Sequence, residues 1–268
     1  MGSTKQWFED AEESRREAWI RSKLSDPDLE EDSDEWQQLA QEHDDYRYFE
    51  DEMARYAAEQ AQEEYEEQQW LKSNPHTDIY ASSISLLEGI LDEGKNHTSE
   101  TFYKMQIAYC VTIMESCLGD MIKSIVLSDN RYRNNAIYHI EHLRKKEIKL
   151  VNLIDKEDVV GKSVQEYLTG ILYHDITMVE KTYRAILKND EYKQIETKKI
   201  DALTKIRHDI VHRNGKNRDG KDVIEFNNSV YLDAFATTKD FLNEMKNMIS
   251  AAVKYHEIKQ IEKDLGNN

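Results

Sequence analysis

Residues that break helices are scarce in this sequence. Its 268 residues include only 9 glycines and 2 prolines, and both prolines come before residue 76. In a helix interior, glycine costs about 1 kcal/mol and proline about 3 kcal/mol, so their rarity favours long helices. Sandwich, propeller and collagen-like folds need far more glycine and turn residues, which excludes them. The sequence therefore predicts an all-α protein.

Hydrophobic periodicity divides the chain into amphipathic helices. Apolar residues recur at helical spacing, as Ile107, Val111, Met114 and Leu118 do along the most apolar stretch. The predicted helices cover residues 4–24, 34–72, 77–93, 98–128, 131–154, 161–188, 194–213 and 229–264, and residues 223–226 are predicted to form a short extended piece. Asn227, Asn228 and Ser229 are predicted N-caps of the last helix. The helices after residue 76 predict an antiparallel bundle of about five or six members.

Acidic charge is concentrated near the start of the chain. The net charge is −17, and residues 1–76 carry −15 of it, with 23 Asp and Glu against 8 Lys and Arg. All four tryptophans lie in the same segment. This change in composition predicts an acidic, tryptophan-containing helical arm over residues 1–76 and a helical bundle over residues 77–268. General DNA-coating proteins and polybasic membrane binders are expected to carry the opposite charge, which argues against both classes.

The acidic side of the arm, such as residues 63–67, allows two interpretations. It is either a solvated helix face or a surface that docks a partner or masks the protein's own site. The second interpretation rests on the tryptophan-bearing stripe of these charged helices, because such a stripe needs something to bury against.

The sequence offers little support for a membrane span or a disulfide. No apolar run reaches the roughly 18 residues of a membrane span, and residues 1–10 lack the apolar core of a signal peptide. Cys110 and Cys117 lie seven residues apart in one predicted helix, about 10 Å along its axis, which is too far for a disulfide. We therefore expect reduced, buried thiols in a cytoplasmic protein that does not bind membranes.

Motifs for bound metals and nucleotides are missing from the sequence. It contains no P-loop, no dinucleotide-binding glycine motif and neither H-E-x-x-H nor C-x-x-C. His139 and His142 lie three residues apart, but no third ligand stands at a natural spacing. The prediction is that the protein uses no metal and no cofactor.

One segment reverses the acidic character of the chain. Between Lys198 and Lys221 there are eight Lys and Arg against three Asp, which gives a local charge of +5. His208 and His212 are one helical turn apart and share a face, and Arg207 adjoins that face. The residues of this helix predicted to face the core are Leu203, Ile206 and Ile210. Arg207 and the two histidines are therefore not expected to be needed for packing, and this basic window could accept a phosphate backbone.

The end of this helix gives a simpler interpretation of His212. Gly215 can end the helix in a left-handed conformation, which places His212 in the last turn. There the helix dipole favours a charged imidazole whether or not the residue has a catalytic role.

The string RHDIVHRNG from Arg207, followed by Asp219-Gly220, resembles the HEPN superfamily. The similarity is closest to the RiboL-PSP-HEPN type of prokaryotic defence and toxin ribonucleases. An R-x4-H pattern alone is common, but its place at the end of the penultimate helix of an all-α bundle is more specific. The upstream stretch from Glu115 to Asp120 is similar to the family's glutamate-bearing helix. The resemblance covers residues 77–264.

The resemblance implies metal-independent RNA cleavage by a homodimer, in which two R-x4-H motifs form one composite site and leave a 2′,3′-cyclic phosphate and a 5′-hydroxyl. Arg207 is then the transition-state stabiliser and His212 the general base or acid, roles that suit both residue types. His208 would orient the site or bind phosphate. Glu115 would either position Arg207 by an ion pair or satisfy a polar core, and Asp209 is a second supporting residue. The residues expected to contact the RNA backbone are Arg213, Asn214, Lys216 and Arg218.

We therefore expect an endoribonuclease that acts in antiphage defence or as a toxin. Two alternatives stay open: a non-catalytic HEPN dimer that binds RNA, a nucleotide or a protein partner, and an acidic nucleic-acid mimic built on the arm. In family toxins silenced by a partner nucleotidyltransferase, a tyrosine stands two places after the motif histidine, where this chain has Asn214. This departure points to another inhibitor. The arm over residues 1–76 is a candidate, either by competing with RNA for the basic window or by docking a regulatory protein.

Overall fold

The computed structural model describes residues 4–26, 28–94, 97–153, 158–189, 192–193 and 195–266. Throughout these residues the regular secondary structure is helical, which confirms the all-α fold class. The chain forms two compact units, residues 1–67 and residues 68–268. None of the described helices combines the length and the apolar character needed to cross a bilayer.

The described helices follow one another through short connections. In chain order they are α1 (Thr4–Arg21), α2 (Asp34–Ser73), α3 (His76–Gly94), α4 (Glu100–Ser128), α5 (Asn130–His139), α6 (Glu141–Arg144), a 3₁₀ turn (Leu150–Leu153), α7 (Val159–Thr169), α8 (Ile176–Leu187), α9 (Lys198–Arg213) and α10 (Asn228–Gly266). Six of them, α1 to α4, α9 and α10, confirm predicted helices to within about four residues. The predicted cap of α10 is also confirmed at Asn227, whose Oδ1 accepts a hydrogen bond from the Val230 N–H at 3.1 Å.

Two predicted helices are wrong as single elements. The stretch 131–154 breaks at Ile140, which has extended backbone geometry and buries its side chain, and α6 after it is only four residues long. The stretch 161–188 separates into α7 and α8. Gly170 ends α7, and the Asp175 carboxylate caps α8 by accepting the Met178 N–H at 3.0 Å. The six residues between them, 170–175, form a loop that we call the 170s loop.

The predicted extended piece at residues 223–226 forms no strand within the described structure. The nearest pairing is one isolated antiparallel bridge between Lys216 and Asp222. Phe226 is buried in the core instead. The segment therefore returns the chain from a short turn into α10.

The core of the unit at residues 68–268 is built around α4. Side chains along its length are almost completely excluded from solvent: Ile107, Val111, Met114, Leu118, Met121 and Ile122. α3, α5, α7, α9 and α10 all pack against this helix. Deep in the core the Tyr183 hydroxyl donates a hydrogen bond of 2.5 Å to the Leu118 carbonyl, which fastens α8 to α4. A rigid central helix thus carries Glu115.

The two cysteines behave as predicted. Cys110 and Cys117 are both buried free thiols on α4. Burial raises the pKa of Cys110 to about 12 and that of Cys117 to about 11. Neither thiol is therefore a ready nucleophile near neutral pH.

The unit at residues 1–67 has a much smaller core. α1 packs against the first part of α2 around three buried residues, Ile20, Trp36 and Ala40. A two-pronged ion pair joins the helices, with Nε and Nη2 of Arg16 each 2.8 Å from the Asp44 carboxylate. The far part of α2 extends beyond this core.

Candidate active site

Helix α9 turns Arg207 inward. Successive residues of a helix are 100° apart, so Arg207 lies only 40° around α9 from the buried Leu203. The Arg207 side chain is 23% exposed. Its Nε is shielded from solvent and has no hydrogen-bond partner among the described residues. The expectation that Arg207 stands outside the packing is therefore wrong, because the four-residue spacing from Leu203 places it on the packed face.

Glu115 on α4 faces Arg207. Its Oε2 lies 3.8 Å from Nη2 of Arg207, within ion-pair distance but beyond a hydrogen bond, and its side chain is 20% exposed. The other oxygen, Oε1, accepts a hydrogen bond of 2.9 Å from Nδ1 of His174. Glu115 thus pairs with Arg207, and it makes its shorter contact with a histidine that the sequence analysis missed.

His174 lies in the 170s loop, and its side chain is 42% exposed. It was missed because the predicted helix 161–188 covered it. The signals that reveal the loop are Gly170, a helix-stop residue, and Asp175, an N-cap residue. The neighbouring Tyr173 fixes the loop against α4. Its ring lies so close to Gly119 that a Cβ there would approach within 3.1 Å, and its hydroxyl donates to the Leu168 carbonyl at 2.9 Å.

Glu115, His174 and Arg207 share an open cleft of about 400 Å³. Its walls come from α4, the 170s loop and α9. The other polar side chains along α4 that line it are Ser116, Asp120 and Lys123. A carboxylate, an imidazole and a guanidinium, which are groups able to move protons and bind phosphate, therefore meet in one solvent-accessible depression.

The other two candidate histidines lie beside this cleft on α9. His208 and His212 are both exposed, and their ring centroids are 4.5 Å apart. From Arg207, His208 is 100° and His212 is 140° around the helix. Arg207 therefore points into the bundle while the two imidazoles point from the flank of the same helix into solvent.

The end of α9 confirms the predicted left-handed stop at Gly215. Asn214 and Gly215 both have positive φ, 55° and 84°. A Cβ on Gly215 would lie 2.6 Å from the Phe226 ring, so glycine is needed for space as well as for its backbone conformation. The Lys104 ammonium donates to the Asn214 carbonyl at 3.0 Å and fastens this end of the helix to α4.

The residues expected to contact RNA differ in their ion pairing and in their exposure to solvent. Arg213 forms an ion pair with Asp209 one turn earlier, with Nη1 and Oδ1 2.6 Å apart, so its charge is partly neutralised and Asp209 serves Arg213. Lys216 and Arg218 are exposed on the turn that follows Asn214, itself also exposed. Exposed positive charge therefore continues beyond α9, while the cationic side chain of Arg213 already has a partner.

Comparison with known proteins adds no relative. The sequence matches none of the known protein-family models, and neither a curated protein nor a solved structure matches it significantly.

In the part of the chain that the structure describes, no three histidine, cysteine or acidic side chains lie close enough together to hold a metal ion. His142 instead stacks on the Tyr167 ring at a centroid distance of 5.6 Å.

Proposed function

We propose that this protein is a metal-independent endoribonuclease of the HEPN type. The observation that carries the proposal is the pairing of Arg207 with Glu115 beside two exposed imidazoles on the same helix. The Arg207 guanidinium lines an open cleft, and such a group is suited to bind phosphate oxygens.

The proposed reaction needs a base, an acid and a cation. A base removes the proton of the ribose 2′-hydroxyl, whose oxygen bonds to the adjacent phosphorus while the bond to the 5′-oxygen breaks. An acid gives that 5′-oxygen a proton, and Arg207 stabilises the charge on the phosphoryl oxygens. Proton transfer by a positioned histidine contributes about 10²- to 10⁴-fold, and His208 and His212 are available for it.

The proposed enzyme works as a homodimer in antiphage defence or in a toxin system. His208 and His212 are exposed on one flank of α9, so a second copy can approach them along that face. The exposed Lys216 and Arg218 supply positive charge next to the histidines for a polyanionic substrate.

The acidic arm is proposed to restrain this activity. Glu63 and Glu64 are exposed on α2, and the aromatic side chains Tyr56 and Tyr65 near them are exposed as well. A surface of carboxylates and aromatic rings offers features that a nucleic acid also presents, so it can compete with RNA or dock a basic regulatory partner.

The direct test is cleavage of labelled RNA by the purified protein, with and without EDTA. Arg207→Ala and His212→Ala are expected to abolish cleavage, whereas Arg144→Ala and His139→Ala, which change exposed residues elsewhere on the bundle, are matched controls. The product ends are expected to be 2′,3′-cyclic phosphate and 5′-hydroxyl. RNA binding without cleavage by the wild type would overturn the proposal in favour of a non-catalytic RNA-binding dimer.

A further inference from the structure

We propose that Glu115 and His174 form the catalytic dyad that removes the 2′-hydroxyl proton, with His174 as general base. This inference rests on the proposed ribonuclease activity and adds a residue outside the R-x4-H motif. It places the base and the phosphate-binding Arg207 in the cleft of a single protomer.

The first support is the orientation of the imidazole. Ionised Glu115 only accepts hydrogen bonds, so the 2.9 Å contact requires His174 to carry a proton on Nδ1. In the neutral ring this leaves the lone pair on Nε2, the nitrogen that can take a proton from a hydroxyl. The carboxylate also stabilises the imidazolium that forms, which is the role of the carboxylate in a Ser-His-Asp triad.

The second support is that one carboxylate serves both functional groups. Oε1 of Glu115 binds His174, and Oε2 lies 3.8 Å from the Arg207 guanidinium. The imidazole and the guanidinium are therefore each placed next to a different oxygen of one carboxylate. A phosphodiester bound by Arg207 therefore has its ribose in the cleft that His174 also lines.

The third support is access. His174 is 42% exposed, and the cleft of about 400 Å³ falls within the roughly 300–1,000 Å³ of small-molecule sites. The charged groups that line the cleft around His174 are Glu115, Asp120 and Lys123 from α4 and Arg207 from α9. The imidazole is thus held firmly and open to substrate at the same time.

The complete step assigns the two protons to different histidines. His174 Nε2 takes the 2′-hydroxyl proton as the 2′-oxygen bonds to phosphorus and the bond to the 5′-oxygen breaks. The 5′-oxygen leaves with a proton from a protonated imidazole of a His208–His212 pair, which the proposed homodimer has to bring to the cleft because these rings point from the flank of α9 into solvent. The products are the cyclic phosphate and the 5′-hydroxyl, and solvent returns each histidine to its starting state.

The test is single-turnover RNA cleavage by the full-length protein, with His174→Gln as the first variant and His139→Gln as the matched control. His174→Gln is expected to lower the cleavage rate by about 10²- to 10⁴-fold with RNA affinity unchanged, and to remove the acidic limb of the pH–rate profile. Glu115→Gln is expected to lower the rate less, because its amide oxygen still accepts from Nδ1. His139→Gln is expected to cleave like the wild type.

Two further measurements separate a base from a structural residue. Added imidazole is expected to restore cleavage to His174→Ala, since the side chain is reachable from solvent, and no rescue would assign His174 a structural role. A substrate with a 5′-sulfur leaving group needs no acid, so it is expected to rescue His212→Ala but not His174→Gln. Wild-type cleavage matched by His174→Gln overturns the dyad and leaves the ribonuclease proposal standing. A wild type that cleaves no RNA overturns both.

Discussion

The two units differ in how many of their apolar side chains they bury. In residues 68–268, α4 buries a continuous stripe from Ile107 to Ile122, whereas the N-terminal unit buries little beyond Ile20, Trp36 and Ala40. The large side chains left exposed along α2 within residues 1–67 are Tyr46, Tyr48, Phe49, Met53, Tyr56 and Tyr65. The same helical periodicity therefore marks a core in one unit and an open surface in the other.

Local interactions take the place of packing in the exposed part of α2. The Tyr46 hydroxyl donates to Glu50 at 2.8 Å, and Arg55 lies 3.1 Å from Glu52. Such pairs within one helix contribute only about 0.2–0.5 kcal/mol each. The bundle is consequently stabilised by burial of apolar surface, and the outer part of α2 by helix propensity and many small polar contacts.

The largest effect that tests this contrast is expected from a cavity in the bundle. Leu118→Ala removes a completely buried side chain from α4 and is expected to lower the free energy of unfolding by about 2–5 kcal/mol. Tyr48→Ala on α2 removes a side chain that is 67% exposed and is expected to change it by less than about 0.5 kcal/mol. Chemical denaturation followed by circular dichroism measures both. Equal losses would show that α2 packs against a core of its own.

A pH titration is expected to separate the two units further. His76 is buried in the bundle, with Nε2 2.9 Å from the Ser250 hydroxyl. Burial lowers its pKa, and the nearby Lys246 lowers it further, despite an opposing effect of Asp78. Below pH about 6.5 the unfolded chain takes up this proton more readily than the folded chain does. The contribution of neutral His76 to the stability of the bundle is therefore fully present above that pH and is lost as the pH falls toward the lowered pKa.

The N-terminal unit is expected to respond at lower pH. The hydrogen bond from Arg16 lowers the pKa of Asp44. The contribution of this pair to the stability of the N-terminal unit is therefore present above the ordinary pKa of about 3.9 and is lost only as the pH falls below that value.

Thermal unfolding between pH 7.5 and 5.5 measures the effect of His76. His76→Gln is expected to flatten this part of the profile, and an unchanged slope would show that another group titrates there.

The comparison also explains what could be predicted from the sequence. Apolar spacing and scarce glycine were sufficient for six helices, because long periodic segments have few alternatives. The break between α7 and α8 was missed because Ile171, Leu172 and Ile176 continue an apolar pattern through the loop. Gly170 ends α7 and the Asp175 cap begins α8, and the missed loop between them holds His174.

The candidate site was predictable in part for a similar reason. The R-x4-H motif is local, so Arg207 and His212 were identified from adjacent sequence. The contact between Glu115 and His174 joins residues 59 positions apart. Glu115 was named through the family resemblance, but nothing next to it in the sequence points to His174. Such a pairing depends on how α4 meets the 170s loop, which periodicity does not describe.

The smallest effect is expected from the acidic surface of the arm. Glu63→Gln with Glu64→Gln is expected to tighten RNA binding about twofold at 0.05 M salt and less at 0.15 M, because the screening length shortens to about 8 Å. Glu147→Gln with Glu257→Gln removes the same charge from exposed positions in the bundle and serves as the control. Titration of labelled RNA measures both. If the control variant tightens binding equally, the effect comes from net charge. If neither pair changes the affinity, the acidic face of α2 is a solvated surface. Only a selective gain in affinity from the changes at Glu63 and Glu64 supports an arm that restrains RNA binding.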